Sequence, residues 1–145
     1  MNKTKIQVER YHDISCGHRV VGHESKCKFL HGHNYRFHFV IEGEKLDAIG
    51  RVLDFNVIKN VLCEWLEMNF DHKFLMWDKD PYLSTLMSLS KESMVVVPFN
   101  PTAENIAQYM IEDVAPNLLK PYNCRLVECR IDETRKCSVS VTTED

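Results

Sequence analysis

Between Lys5 and His18 apolar and polar side chains alternate, with Ile6, Val8, Ile14, Cys16 and His18 on one side. That is the two-residue period of a β-strand. Arg10 and His12 interrupt the apolar side, which predicts a strand partly exposed there or meeting a partner chain. After a loop from Arg19 to Leu30, His31, His33, Tyr35, Phe37, Phe39 and Ile41 share one face of a second strand, with Asn34, Arg36, His38 and Glu42 opposite. Glu42-Gly43-Glu44 reads as its end. The period then changes. Val57, Ile58, Val61, Leu62, Trp65 and Leu66 form one stripe of a helix over Asn56 to Asn69, with Asp54 or Asn56 as its cap. A less regular stretch follows Asp71-His72, with a short helix near Tyr82 to Leu89 and a brief Val95-Val96-Val97 strand. A second long helix begins near Thr102, turns Ala103, Ile106, Ala107, Met110 and Val114 inward, and should end at Pro116. Two strands, Cys124 to Glu133 and Cys137 to Thr142, close a β-β-α-α-β-β order. The expectation is one α+β domain over residues 1–145, with helices on one face of an antiparallel sheet. Open sheet edges are a liability in a monomer, so oligomerisation through the strands is expected.

Composition narrows the function. The 145 residues carry 18 Lys and Arg against 21 Asp and Glu, a net charge of -3, which argues against a nucleic-acid module. No apolar stretch approaches the roughly 20 residues of a membrane helix. Met1 to Gln7 has no signal-peptide core, so a cytoplasmic protein is expected. The six cysteines lack paired CxxC spacing and read as free thiols.

The histidines bring in chemistry. His31 and His33, two apart on a strand, project from one face, and His18 ends the preceding strand on its inward side. Three neutral imidazoles around one ion leave a fourth position open, the arrangement of a catalytic zinc; the bland alternative is three core or surface histidines. Cys27 lies just before them between Lys26 and Lys28, whose charges favour the reactive thiolate. It reads equally as a base, a fourth metal ligand or an inert loop thiol. Asp71-His72 is either a surface pair or a carboxylate orienting a proton-transferring imidazole. Glu133 falls on the inward face with Val127, Cys129 and Ile131; it is either a structural ion-pair member or an acceptor for the paired N–H donors of a planar ligand.

These positions lie in a series of motifs. They are Cys16-Gly17-His18-Arg19, Gly22-His23-Glu24-Ser25-Lys26-Cys27 running into Leu30-His31-Gly32-His33-Asn34, and Val52-Leu53-Asp54-Phe55. Phe70-Asp71-His72, Pro98-Phe99-Asn100-Pro101-Thr102-Ala103-Glu104-Asn105 and Asp132-Glu133-Thr134 complete it. In order and spacing, over nearly the whole chain, the series resembles the 6-pyruvoyltetrahydropterin synthase and 6-carboxytetrahydropterin synthase family. The resemblance implies a T-fold in which three subunits close a β-barrel and two barrels stack into a homohexamer. It implies Zn²⁺ on His18, His31 and His33, Cys27 as catalytic base, and Asp71 and His72 completing a relay. Glu133 would anchor the pterin, with Thr102 and Glu104 as secondary contacts. The implied substrate is 7,8-dihydroneopterin triphosphate.

The Cys-x3-His interval from Cys27 to His31 resembles the bacterial queuosine-pathway branch, whose product is 6-carboxy-5,6,7,8-tetrahydropterin. The alternatives are the sister synthase, which stops at the pyruvoyl compound, and a non-catalytic zinc-stabilised pterin-binding module. Two features depart from the family pattern. Cys16 stands where a small apolar residue is usual and could itself face the metal, and the segment from Trp77 to Val97 is long and expected to decorate the exterior or an interface. Arg19, Lys26 and Lys28 are the nearest cations for a triphosphate. His12, His23 and His38 are expected to be structural.

Overall fold

Cross-strand pairing of the two alternating segments builds the centre of the molecule. The computed structural model describes residues 4–144; the ends of the expected domain, residues 1–3 and 145, lie outside the described residues, as does the start of the Met1 to Gln7 segment. β1 (Gln7–His18) runs antiparallel to β2 (His31–Gly43), with Cys16 opposite His33 and His18 opposite His31. β5 (Cys124–Asp132) flanks β2 with a register irregularity at Val40/Ile41, and β6 (Ser138–Thr142) closes that edge. On the other side β3 (Phe74–Trp77) and β4 (Met94–Val97) add to β1, giving the order β4-β3-β1-β2-β5-β6.

The sheet is therefore mixed. β3 runs parallel to both β1 and β4, whereas a purely antiparallel sheet was expected. The four residues of β3, Phe-Leu-Met-Trp, carry no alternation, which is why no strand is legible there. Segment 77–97 is likewise not mere decoration: it supplies a sheet edge and one short helix, α3 (Leu83–Ser90).

Both long helices cover the same sheet face. The first is α1 (Phe55–Ile58), a π-turn (Lys59–Cys63) and α2 (Glu64–Asn69), capped by Asp54, whose carboxylate accepts the Asn56 N–H. The second is α4 (Ala103–Tyr109), a π-turn (Met110–Val114) and α5 (Ala115–Leu119), with Thr102 as its cap. Pro116 does not end this helix, contrary to expectation. It sits in the first turn of α5, where a missing N–H is tolerated, just after the π-turn has loosened the ladder. Ile58, Leu62, Leu66, Ile106 and Met110 meet Tyr35, Phe37, Phe39 and Ile41 in a core with almost no solvent contact.

The polar interruptions of β1 find partners among the helices. His12 Nε2 lies 2.6 Å from Glu67, and Arg10 donates to the Phe55 carbonyl. His38, on the opposite sheet face, is buried between Asp132 and Glu9. No helix among the described residues is long and apolar enough to cross a membrane.

Gly17 and Gly32 face each other where β1 and β2 end at the histidines. A Cβ on Gly32 would stand 2.9 Å from the Cys16 carbonyl oxygen, a backbone atom that cannot move aside. Gly32→Ala should lower stability by about 1–3 kcal/mol, the usual cost of forcing a strand apart, read as a reduced urea midpoint.

Candidate active site

Two hydrogen bonds from neighbouring backbone set the direction of the histidines. The His18 Nδ1–H donates to the Pro101 carbonyl at 2.6 Å, and the His31 Nδ1–H donates to the Phe29 carbonyl at 2.7 Å. A carbonyl can only accept, so each ring carries its proton on Nδ1 and offers a lone pair at Nε2. His18, His31 and His33 together bring their ligand atoms within 4.8 Å of one another. All three Nε2 atoms are buried and have no hydrogen-bond partner. Two inward lone pairs and a third unpartnered Nε2 beside them are what a cation would satisfy, so the residues fit a bound metal. The ring of Tyr35 stands edge-on to His18 and His33 beneath them, its own buried hydroxyl unpartnered.

The electrostatics agree. Burial drives the His18 pKa down to about 4, against the pull of the Pro101 bond, and burial also lowers that of His33. Both rings are neutral at pH 7, the ligating form. Cys16 does not join the cluster. Burial, reinforced by Asp71, pushes its thiol up to about 12, so it is an inert core residue.

Cys27 lies in a short 3₁₀ turn, Lys26–Lys28, half-buried. Its neighbours in space matter more than its neighbours in sequence. Burial first, then the Glu133 and Glu24 carboxylates, raise its pKa, so the two flanking lysines do not create a thiolate as expected. Glu133 follows β5 directly and holds Oε1 3.7 Å from His33 Nε2, beside the metal cluster. Thr102 accepts the Asn105 N–H at 3.1 Å in its capping role, and Glu104 is exposed in the first turn of α4.

Asp71 and His72 pair as expected, with Nδ1 to Oδ2 at 2.8 Å. Burial alone would raise the Asp71 pKa, but the Ser15 N–H and the His72 ring hold it below the usual carboxylate range. His72 ends the helical segment at a φ of 60°, a left-handed conformation that ordinarily selects glycine. Its N–H is held there by the Ser15 carbonyl at 2.6 Å. The pair opens on the polar face of the sheet, beside Ser15, Asn34 and Thr134, into a cavity of about 780 Å³. Neither of the two cavities that His72 lines reaches Cys27. The smaller of the two is shared with Cys16 and His33, so His72 borders the surface next to the histidine cluster.

Arg19 overturns another expectation. It is buried rather than poised for phosphate, donating from Nε to Asp80 Oδ2 at 2.7 Å. Sequence reasoning missed Asp80, 61 residues away, because nothing local signals a pairing at that distance. It also missed the Pro101 and Phe29 carbonyls, which no side-chain pattern reveals.

Comparison with known proteins follows the same lines. A model of the 6-pyruvoyl tetrahydropterin synthase family matches residues 7–144. The chain belongs to that family. It is 35% identical over 137 residues to a Rickettsia typhi protein named 6-carboxy-5,6,7,8-tetrahydropterin synthase, covering 94% of this chain and 99% of the relative. An uncharacterised protein of Wolinella succinogenes shares the fold at a TM-score of 0.86 and 24% identity, over 98% of this chain and 100% of that one. A Plasmodium vivax 6-pyruvoyltetrahydropterin synthase does so at a TM-score of 0.72 and 18% identity, over 99% and 100%. The expected family, its lyase character and the α+β T-fold are thereby borne out.

The neutral His18 ring yields a prediction for the metal-free protein. The unfolded chain binds a proton at His18 below about pH 6.5 and the folded chain only near pH 4. Unfolded molecules therefore hold more protons in that window, and stability falls as pH drops through it, by on the order of 2–4 kcal/mol for a shift this large. The melting temperature should decline from pH 6.5 to 4. His18→Asn should flatten that limb; an unchanged slope would show that other groups set it.

Proposed function

We propose that this protein is a zinc-dependent 6-carboxy-5,6,7,8-tetrahydropterin synthase of queuosine and 7-deazaguanine biosynthesis. It converts 7,8-dihydroneopterin triphosphate to that product, releasing acetaldehyde and triphosphate. The observation that carries the reading is the trio of buried, unpartnered Nε2 atoms on His18, His31 and His33. The near full-length relative of that name supports it. Zinc on these nitrogens would leave one position open and supply Lewis acidity to the hydroxyls of the substrate side chain.

The remaining work falls to side chains. Glu133 receives the paired N–H donors of the pterin ring; its position beside His33 suits an anchor that sets the side chain over the metal. Thr102 and Glu104 make further pterin contacts from the start of α4. Cys27 removes the side-chain proton. His72, oriented by Asp71, moves protons during the tautomerisation that follows. The pair lines a cavity that Cys27 does not, and in this reading it serves the site of a second copy, in a hexamer of two stacked trimers. The cytoplasm suits such an enzyme, since all six cysteines are free thiols that a reducing compartment preserves.

Incubating the zinc-loaded protein with 7,8-dihydroneopterin triphosphate and weighing the products tests the reading. Acetaldehyde and the carboxylated tetrahydropterin are expected. A pyruvoyl product without acetaldehyde would assign the sister reaction instead, and no product at full metal loading would point to a binding module.

Two variants check the roles. Elemental analysis should find roughly one zinc per chain in the parent, and His33→Ala should lose most of it. Cys27→Ala should keep that zinc yet lose at least about a hundredfold in turnover, the low end for a positioned base. Loss of zinc in Cys27→Ala would make the thiol a ligand.

A further inference from the structure

The loop that carries Cys27 has no apolar anchor. From Val21 to Leu30 not one residue is buried, and the turn Lys26–Lys28 lacks a side-chain cap. Exposed chain of this kind is held by polar contacts or is not held. At its start the loop is tied by Asn100, which bonds both the N–H and the carbonyl of Val21. At its working end, besides the turn's own Phe29 N–H bond to Lys26 and the His31 bond to the Phe29 carbonyl, two bonds reach the carbonyls of Cys27 and Lys28. The Val20 N–H donates to the Cys27 carbonyl at 2.7 Å, and Arg19 Nη1 donates to the Lys28 carbonyl at 2.8 Å.

Arg19 is in turn fixed from outside the loop. Its Nε donates to Asp80 Oδ2 at 2.7 Å, and its guanidinium carbon lies 3.8 Å over the Tyr82 ring. Asp80 is itself placed by its turn: its other oxygen accepts the Tyr82 N–H at 2.8 Å, and its own N–H donates to the Trp77 carbonyl. Arg19 and Asp80 are 6% and 5% exposed, so neither is a solvated surface charge. A buried ion pair is poor evidence of stability, because an apolar pair of similar volume often does as well. What an apolar residue cannot supply at position 19 is a fork that holds a carboxylate with one N–H and a loop carbonyl with another.

We infer that Arg19, held by Asp80 and Tyr82, is a positioning residue that sets the reach of the Cys27 thiol toward the metal-bound side chain. It follows His18 directly, so one strand end fixes both a metal-cluster histidine and the turn bearing the base. The long segment after β3 thereby acquires a role: it brings Asp80 and Tyr82 to the back of the loop. The inference rests on the reading of Cys27 as the base. It goes further in stating what determines that thiol's position.

A double-mutant cycle tests it. Arg19→Met should fold, keep its zinc and hold KM within about threefold. Its kcat should fall on the order of a hundredfold, the effect of roughly 1 Å of misplacement. In a Cys27→Ala background the same substitution should change the residual rate by less than about twofold, since there is no thiol left to misplace. Arg19→Lys keeps the charge facing Asp80 but has no second fork arm for the Lys28 carbonyl, so an intermediate loss of about tenfold is expected. It also serves if the methionine variant fails to fold. An equal loss in both backgrounds, or an unchanged kcat in Arg19→Lys, would overturn the inference. Iodoacetamide labelling of Cys27 in a Cys137→Ser background provides a readout without turnover. Arg19→Lys should alter the labelling rate severalfold; an unchanged rate would also overturn the inference. Should Cys27→Ala prove fully active, the base assignment fails, and labelling still shows whether Arg19 places the loop.

Discussion

Pairing His18 with His31, and Cys16 with His33, in the antiparallel register of β1 and β2 is what turns three imidazoles toward one point. Side chains on a strand alternate strictly, so a slip of one residue would send one strand's histidines to the opposite face and the aromatic core with them. Register and core enforce each other. Tyr35, Phe37, Phe39 and Ile41 are fully buried only in the same register that puts His31 and His33 beside His18. The hydrogen bonds to Pro101 and Phe29 then rotate two of the rings, and the loss of three buried nitrogens to water is left for a cation to offset.

Much of this was legible in the order of residues, because a strand's faces follow from a period of two and need no knowledge of partners. The faces of β1 and β2, the two helical stripes and the Asp54 and Thr102 caps are all of that local kind. What stayed hidden depends on contacts between distant parts of the chain. The parallel strand Phe74–Trp77 has no pattern of its own and exists because β1 and β4 offer it edges. Pro116 looked like a stop because the π-turn ahead of it has no sequence signature. Cys27 misled for a related reason: Lys26 and Lys28 are adjacent in sequence, whereas burial, then Glu133 and Glu24, raise its pKa in the fold. Arg19 looked like a phosphate ligand only while Asp80 was unseen.

The two faces of the sheet divide the chemistry. The three histidines, the Cys27 turn and Glu133 gather where β1, β2 and β5 approach the start of α4, whereas Asp71 and His72 line a cavity on the polar side.

The π-turn Lys59–Cys63 has a further consequence for how this chain can vary in length. Such a turn accommodates one extra residue within a helix, and the residues beyond it are offset by about 100° and 1.5 Å relative to an uninterrupted α-helix. Leu66 and Phe70 reach the core, and Asp71 reaches the Ser15 N–H, from that offset phase. A deletion that restored ideal helix geometry here would improve every local hydrogen bond while swinging Asp71 and His72 off the strand they lean on. Relatives of this protein should therefore tolerate gaps in the exposed 44–51 loop far more readily than in the interior of this helix, however much more regular the shortened helix would be.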